Sequence, residues 1–442
     1  MNNQNHIKEI PYKIRNSITF KILTMIILVL ILLIPAAMIE SLIQERKSRK
    51  QEVISEIGAK WGQKQTLTGP IISIPYKNYY KDTNNDVSYS IKYAHFLPDS
   101  LNISGKMTPE IRYRGIYETV LYNARLELTG SFSYPQIDQL NIKSEDFIWS
   151  GTIISIGISD MRGITEQIDA KFNGNPISMN PGLETNDIYS YGVSAKIALP
   201  NQNDNYSFNY VINLNGSHQM DFIPVGKLTD VLITSDWTDP SFTGGYLPST
   251  RIIDNNGFSA NWKIFDLNRN YPQCWIGNSH NIDNSAFGVE LFIPVDIYQK
   301  SIRTVKYALM FIVLTFIAFF FSEVMNRLKV HPIQYLLIGL AISIFYTLLI
   351  SISEHTTFNF AYILSSLAVI TLITGYAKSI LKNNRMSAMV GSVLVILYGY
   401  LFIILQLEDY ALLMGSIGLF IVLSLVMYIT RKIDWYAIRF DK

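Results

Sequence analysis

Hydrophobic residues gather into six windows that contain no charged side chain. The windows are residues 22–39, 307–322, 332–353, 356–377, 386–407 and 410–430. A hydrocarbon core about 30 Å thick needs roughly 20 helical residues to cross it. The last four windows meet that length, and the second meets it when it extends to Met325. The pattern therefore predicts six transmembrane helices, at residues 18–39, 305–326, 332–353, 356–377, 386–407 and 410–430.

Lys and Arg residues in the short connections predict the orientation of these helices. Both tails (1–17 and 431–442) and the loops after the second and fourth helices are basic, whereas the loops after the third and fifth have no Lys or Arg. Basic connections stay on the cytoplasmic side. Both termini are then cytoplasmic, and residues 40–300 form a periplasmic insertion. A cleavable signal peptide is the alternative for the first window, but 18 uncharged residues favour a retained anchor.

The periplasmic insertion is predicted to fold as a β-rich domain. Residues 40–61 carry apolar side chains on one stripe, so the first helix is expected to continue as an amphipathic helix until Gly62. Period-two patterning follows, in stretches such as TVLYNARLELTG, GTIISIGIS, YGVSAKIAL and YSFNYVINLNG. These stretches predict many short strands and a sandwich-like, all-β domain. Similar patterns at 101–105, 126–130 and 212–216 leave open an internal duplication or a chance recurrence of strands.

Composition narrows the class of protein further. Of the 442 residues, 49% are hydrophobic and only 16% are charged, which is typical of a membrane protein, so the lipid bilayer is the expected partner. The 37 Lys and Arg against 35 Asp and Glu leave no basic stripe, which excludes nucleic acid as a partner. The single cysteine, Cys274, rules out an intramolecular disulfide and a Cys-based metal site. We predict no cofactor and no metal.

Signatures of known catalytic sites are missing from the chain. The sequence has no GxSxG, HExxH, GxGxxG or Walker phosphate-loop pattern. The interiors of the predicted helices carry no charge, unlike those of most transporters. Ser387 with Gly391 and Ala411 with Gly415 have instead the small-residue spacing that lets helices pack closely. These features favour a protein that binds a partner over an enzyme.

Four ionisable residues form the first candidate site. Glu354 and His355 end the third predicted helix, and Glu408 and Asp409 end the fifth, which places both acidic loops at the outer interface. A carboxylate and imidazole cluster there can bind a divalent cation, relay protons or receive a basic protein surface. The alternative is that these residues cap helices and face water. Glu323, at the inner end of the second helix, is expected to form an interfacial ion pair with the basic residues that follow it.

The β-rich domain holds the other candidate residues. Asp160 with Arg162, and Arg112 with Arg114, lie beside glycines and are candidates for binding an anionic envelope component. The alternative is an Asp–Arg pair that locks two turns. Trp237 begins an aromatic, turn-rich segment that can dock a partner or pack into the core. The other residues of this segment are Pro240, Phe242, Gly244, Gly245 and Pro248.

Long motifs in both halves of the chain resemble the CreD family of bacterial inner-membrane proteins. In the predicted domain they are IRYRGIYETVLYNARLELTGSF (111–132), ISDMRGI (158–164), SDWTDPSFTGGYLPSTR (235–251) and FGVELFIPVDIYQKSIRTVKYA (287–308). In the membrane part they are EVMNRLKVHPIQYLLIGLAISIFYTLLISISEH (323–355), LEDYALLMGSIGLF (407–420) and MYITRKIDWY (427–436). The resemblance runs from the first predicted helix to the last.

The resemblance implies a cell-envelope integrity protein of the cytoplasmic membrane. In some bacteria such proteins belong to a two-component regulon that responds to nutrient or cell-wall stress. The resemblance supplies no catalytic residue and no cofactor. We therefore expect a non-enzymatic binding or stress-response component with a cell-wall or envelope protein partner. The alternative is a membrane enzyme or a transporter of protons or small solutes that uses the outer acidic loops.

Overall fold

Two compact units make up the structure, which is a computed structural model that describes residues 18–81, 86–199, 205–293, 297–326, 330–407 and 410–431. The helical unit combines the two ends of the chain, up to Lys50 and from Val295 onward. The β unit consists of residues Gln51–Pro294. A β-rich domain inserted between apolar helices, as the sequence predicts, is therefore present.

Seven α-helices occur in the described part of the chain. They are α1 (Ile18–Trp61), α2 (Ile297–Lys306), α3 (Ala308–Asn326), α4 (Pro332–Ser353), α5 (Phe358–Leu381), α6 (Asn384–Gln406) and α7 (Ala411–Thr430). Among them α1, α4, α5 and α6 are long and apolar enough to cross a membrane. A fifth crossing results if α2 and α3, which meet at a bend of 44°, form one span. The apolar stretch of α7 among the described residues is shorter, Leu413–Tyr428, so the sixth crossing stays a prediction.

The predicted second helix, 305–326, is not one straight helix. It is broken at Tyr307, whose backbone N–H donates to the carbonyl of Thr304. Polar and basic residues alternate with apolar ones in α2, whereas α3 is apolar almost throughout. The two helices therefore differ in polarity on either side of the bend.

Close packing joins the helices of the helical unit. The ring centroid of Phe345 in α4 lies 4.7 Å from that of Tyr398 in α6. The Ser387 hydroxyl of α6 donates to the carbonyl of Thr374 in α5 at 2.8 Å. A Cβ atom at Gly391 would lie 2.8 Å from the Thr374 hydroxyl oxygen, so a larger residue there would force the Thr374 side chain to move. The predicted small-residue contact at Ser387 and Gly391 therefore lies between α5 and α6.

Two sheets form the β unit. Among the described residues, the first sheet has nine strands. In spatial order they are β13 (Pro240–Gly244), β17 (Phe287–Leu291), β11 (Gln219–Ile223), β1 (Gln65–Lys81), β5 (Ile153–Ile158), β9 (Gly192–Lys196) and β8 (Asn180–Pro181), with β2 (Val87–Phe96) on β1 and β16 (Cys274–Ile276) on β2. The second sheet has eight described strands. Their order is β14 (Thr250–Asp254), β15 (Gly257–Phe265), β12 (Leu228–Ser235), β3 (Ser100–Arg114), β4 (Tyr117–Ser133), β10 (Asn205–Ser217), β6 (Asp169–Phe172) and β7 (Asn175–Ile177).

One continuous apolar core lies between the sheets. Strands of the second sheet alternate buried and exposed residues, as a sheet with one covered face must. Trp262 of β15 is fully buried, and its ring lies 5.7 Å from those of Phe287 and Phe242 in the first sheet. The Tyr122 hydroxyl of β4 donates to the backbone carbonyl of Gln219 across the core at 2.7 Å. The arrangement is a β-sandwich.

The repeated patterns at 101–105, 126–130 and 212–216 lie on three neighbouring strands of the second sheet. β3 pairs antiparallel with β4, and β4 pairs antiparallel with β10. Their common spacing thus coincides with a common pattern of inward-facing residues. This arrangement leaves the duplication open, because neighbouring strands that cover one core share such a pattern without a common origin.

Helix α1 ends at the residue before Gly62, where the sequence predicts its end. Gly62 has a φ of +148°, and a Cβ atom there would lie 2.5 Å from the carbonyl oxygen of Asn215. A side chain is excluded at this position by the backbone of β10. The glycine therefore lets the chain turn directly from the helix into β1.

Candidate functional site

The structure describes two of the four residues of the predicted outer acidic site, Glu354 and His355. The Glu354 carboxylate, one-tenth exposed, accepts a hydrogen bond from the Tyr298 hydroxyl at 3.1 Å and lies 4.0 Å from Nε of Arg46. His355 is exposed, and Glu408 and Asp409 lie outside the described residues. Among the residues that the structure describes, no group of three or more His, Cys, Asp or Glu side chains has the arrangement of a metal site. Glu354 therefore links α4 to α1 and α2.

A second ionisable cluster lies at the other end of the helical unit. Glu323 of α3 is 1% exposed and forms an ion pair with Lys21 of α1. One of its oxygens also accepts the backbone N–H of Val330 at 3.0 Å, and the other accepts the Tyr335 hydroxyl at 3.0 Å. The sequence predicts an ion pair at Glu323, but with the basic residues that follow it. Of these, Arg327 and Lys329 lie outside the described residues, and His331 instead caps α4 by accepting the N–H of Ile333.

A cavity of about 280 Å³ adjoins this ion pair. Lys21, Glu323, His331 and Tyr335 form its polar end. Its other walls are mainly apolar, with Phe20, Met25, Leu28, Val330 and Pro332. A buried charge in an apolar helix is costly, so it is retained where it has a structural or functional task. The site can orient three helices, or it can exchange a proton at the Glu323 carboxylate.

Asp160 and Arg162 form the Asp–Arg pair that the sequence analysis weighs against a ligand site. Two nitrogen atoms of Arg162 donate to the two carboxylate oxygens of Asp160, each at 2.9 Å. The backbone N–H of Gln63 donates to the same carboxylate at 2.9 Å, and Arg162 also donates to the carbonyl of Ala59 at 2.7 Å. Burial opposes ionisation of Asp160, but these hydrogen bonds outweigh it and hold the pKa of the carboxyl below its usual value. The pair ties the end of α1 to the sandwich.

Arg112 and Arg114 lie at the distal end of β3 and are engaged within the β unit. Arg112 makes two hydrogen bonds to Glu110, at 3.0 and 3.2 Å, and its guanidinium lies 4.4 Å from the Trp61 ring. Arg114 forms an ion pair with Glu56, and the hydrogen bond between them lowers the pKa of the Glu56 carboxyl. An anionic ligand at either arginine would compete with these carboxylates. Anion binding here stays a prediction.

The aromatic segment that starts at Trp237 is not a free loop. Residues Pro240–Gly244 form strand β13 at the edge of the first sheet. The Phe242 ring packs edge-on against Phe258 and Trp262. The Trp237 indole N–H donates to the backbone carbonyls of Asp239 and Phe292. The segment thus packs onto the core, and docking of a partner through Trp237 stays a prediction.

One polar cluster of the β unit has no counterpart in the sequence analysis. The Ser73 hydroxyl lies 2.8 Å from Nδ1 of His95, and Nε2 of His95 lies 3.2 Å from the Asp187 carboxylate. These are the residue types of a hydrolase triad, but Ser73 is 1% exposed, and a nucleophile must be open to its substrate. The cluster attaches the segment around Asp187 to strands β1 and β2. Burial lowers the pKa of His95, and the hydrogen bond to Asp187 offsets only part of this effect.

The β unit is expected to lose stability as the pH falls below about 6.5, the ordinary pKa of histidine. Because the pKa of His95 is lower in the folded state, the unfolded chain binds the proton more tightly below that pH. Each unit of pKa depression contributes about 1.4 kcal/mol. Urea unfolding of the full chain at pH 7.5 and 5.5 measures the loss. The loss of stability between these two pH values should be smaller in His95→Gln. It should be unchanged in His280→Gln, which replaces a control histidine that also packs on Trp275. Equal losses in both variants would exclude His95 as the source.

Comparison with known proteins covers both units together. Residues 17–436 match the model of the family described as "Inner membrane protein CreD". The Inner membrane protein CreD of Escherichia coli (strain K12) is 34% identical to this chain over 422 residues, which cover 94% of this chain and 93% of that protein. The chain belongs to the CreD family. It is thus a member of an inner-membrane protein family, in agreement with its apolar helices.

The match to the CreD family model covers all of the site residues described above except those outside residues 17–436. The match includes Lys21, Glu323 and Glu354 in the helical unit, and Asp160 and His95 in the β unit. The local sequence does not indicate that Glu323 pairs with Lys21 or that His95 meets Asp187, because these partners lie far apart in the chain. Only Glu323 had a signal, since a carboxylate at the end of an apolar helix needs a partner when it is buried.

Proposed function

We propose that this CreD-family protein is a non-enzymatic binding component of the cell envelope, with a role in the response to cell-wall stress. The resemblance to CreD proteins supports the stress-response role. The observation that carries the binding role is the β unit itself. In this unit (Gln51–Pro294), Asp160, Arg162, Arg112 and Arg114 are engaged in intramolecular pairs. This favours a protein that presents a surface over one that builds a reaction centre.

The proposal includes six membrane crossings with both termini in the cytoplasm and the β unit in the periplasm. Its support is the distribution of Lys and Arg among the connections. An even number of crossings leaves both termini on one side. A β unit inserted after the first crossing then lies on the other side, where it can meet the cell wall.

Thiol labelling in cells tests this topology. In a Cys274→Ser background, Asn255→Cys should react with a membrane-impermeant reagent in cells with a permeabilised outer barrier, because Asn255 lies in an exposed turn of the β unit. Asn384→Cys, exposed at the start of α6, should react only after lysis. Asn384 is preferable to Asn383, which caps α6. Asn84, a further probe in the predicted domain, lies outside the described residues. Labelling of Asn384→Cys but not Asn255→Cys in such cells before lysis would overturn the proposal.

The buried Lys21–Glu323 pair favours a second candidate function, transport of a proton or a small solute. The pair adjoins a cavity, and a carboxylate within apolar helices is a common element of proton pathways. This candidate differs from the transporter considered above, which uses the outer acidic loops.

A further inference from the structure

Strands β1 and β2 form a long hairpin that extends beyond the sandwich. Their antiparallel pairing runs from Ile72 opposite Phe96 to Lys81 opposite Val87. β1 is almost fully buried from Leu67 to Tyr76 and becomes exposed beyond that point. We call residues Lys77–Lys81 and Val87–Lys92 the distal arm. Within the described residues, the two strands of the distal arm pair only with each other.

The distal arm exposes large side chains that the sandwich leaves uncovered. On one face Tyr79 lies opposite Tyr89, with ring centroids 5.9 Å apart, and the Lys77 ammonium lies 5.3 Å from the Tyr89 centroid. Both tyrosines are about half exposed, at 52% and 54%. Exposed apolar groups that cluster on a surface mark an interaction site more often than scattered ones do. Strands with unpaired edges also favour aggregation, and a bound partner would cover these edges.

The opposite face of the distal arm is more polar. Asn78 lies opposite Ser90, and Tyr80 lies opposite Ser88. Alternation along a strand sends these side chains to the side away from Tyr79 and Tyr89. The arm thus offers aromatic rings on both faces, with amide and hydroxyl groups beside Tyr80.

The two strands of the distal arm carry basic but no acidic residues, namely Lys77, Lys81 and Lys92. Asp82 and Asp86 stand between the two strands in the chain, so residues 77–92 together have a formal charge of +1 (three Lys against two Asp). Lys81 and Lys92 are exposed, and Lys77 is half buried. The positive charge is concentrated on the paired strands, where it favours an anionic group over a second copy of the same arm.

We propose that the distal arm binds an anionic glycan strand of the cell wall. This inference rests on the proposed periplasmic position of the β unit and names the ligand class of that domain. Tyrosine rings can stack on the C–H faces of sugar rings with little loss of side-chain entropy. Asn78, Ser88 and Ser90 can hydrogen-bond sugar hydroxyls, and the lysines can pair with the carboxylates of the peptides attached to the glycan. A lipid bilayer fits less well, because insertion of the hairpin would bury the unpaired backbone groups of both its edges.

Co-sedimentation of the purified full-length chain with isolated peptidoglycan sacculi tests the assignment. Tyr79→Ser/Tyr80→Ser/Tyr89→Ser should weaken binding about tenfold or more, a loss typical of a removed aromatic anchor. Lys77→Gln/Lys81→Gln/Lys92→Gln should weaken binding at low salt, and its difference from the natural protein should shrink as salt rises. The matched control is Tyr113→Ser/Tyr191→Ser, which removes tyrosines that are 69% and 65% exposed elsewhere on the β unit. The control should bind as the natural protein does.

Each outcome decides one point. All of these residues are exposed or half buried, so unchanged thermal unfolding should verify that every variant folds. Binding of both arm variants at the natural level would overturn the arm as the site while leaving the binding role intact. Binding of the natural chain to vesicles of anionic phospholipid but not to sacculi would overturn the glycan and identify a membrane surface instead. If the natural chain binds neither sacculi nor vesicles, the proposed ligand class is wrong. A wrong topology would show itself separately, as an absence of Asn255→Cys labelling.

Discussion

Lys21→Met is expected to destabilise the helical unit by about 3–5 kcal/mol, the usual cost of leaving one partner of a buried ion pair uncompensated. Glu323 is 1% exposed, and its remaining partners among the described residues, the Val330 N–H and the Tyr335 hydroxyl, carry no charge. Unfolding of the full chain by SDS titration in mixed micelles measures the change. The double variant Lys21→Met/Glu323→Gln should recover most of the loss, because it leaves no buried charge.

Lys47→Met provides the matched control on the same helix. Lys47 lies in the described part of α1 and is half buried at the surface, so its replacement should change stability by no more than about 0.5 kcal/mol. Equal unfolding midpoints for Lys21→Met and Lys47→Met would show that the ion pair contributes nothing.

The single variant Glu323→Gln also separates the two candidate functions, binding and transport. Proton flux into vesicles that contain the natural chain, and its loss in Glu323→Gln, would favour transport over binding.

Asp160→Ala is expected to destabilise the β unit by about 2–3 kcal/mol. The carboxylate accepts hydrogen bonds from the Arg162 side chain and from the backbone N–H groups of Gln63 and Arg162. Hydrogen bonds to a charged group contribute about 1.5–3 kcal/mol, and the backbone N–H of Gln63 would lose its partner. The value stays at this level because Arg162 is 57% exposed and regains water when the pair is broken. Urea unfolding of the full chain in detergent micelles, followed by tryptophan fluorescence, measures the loss.

Asp160→Asn and Asp236→Ala complete this experiment. An asparagine retains an acceptor for the Gln63 N–H but loses the charge, so its cost should lie between those of the natural protein and Asp160→Ala. Asp236 is exposed, and its removal should leave stability almost unchanged. The pKa of Asp160 is lowered in the folded state, so its contribution is present at neutral pH and is lost as the pH falls through that pKa. A loss in Asp160→Ala as small as that in Asp236→Ala would mean that the pair does not hold the end of α1.

Local patterns in the sequence predicted most of the elements. The window 332–353 coincides with α4, and the four strand-like stretches lie in β4, β5, β9 and β10. Two features differ from prediction because long-range packing decides them. The segment Pro240–Gly244 pairs with β17 and becomes a strand although it is rich in turn-forming residues. The residues Ile297–Lys306 form a separate helix, α2, whereas the predicted helix starts only at residue 305.

The sequence by itself determined where apolar helices and alternating strands lie, because helix and strand periodicity is carried by residues that are close together in the chain. It also located Asp160 and Arg162, which are two positions apart. Only the tertiary structure decided that Glu323 pairs with Lys21, 302 positions away, and that Ser73, His95 and Asp187 meet. It also decided that Trp237 packs onto the core while Tyr79 and Tyr89 stay exposed. The pattern along a chain indicates that a residue needs a partner, whereas the identity of that partner depends on how distant segments pack together.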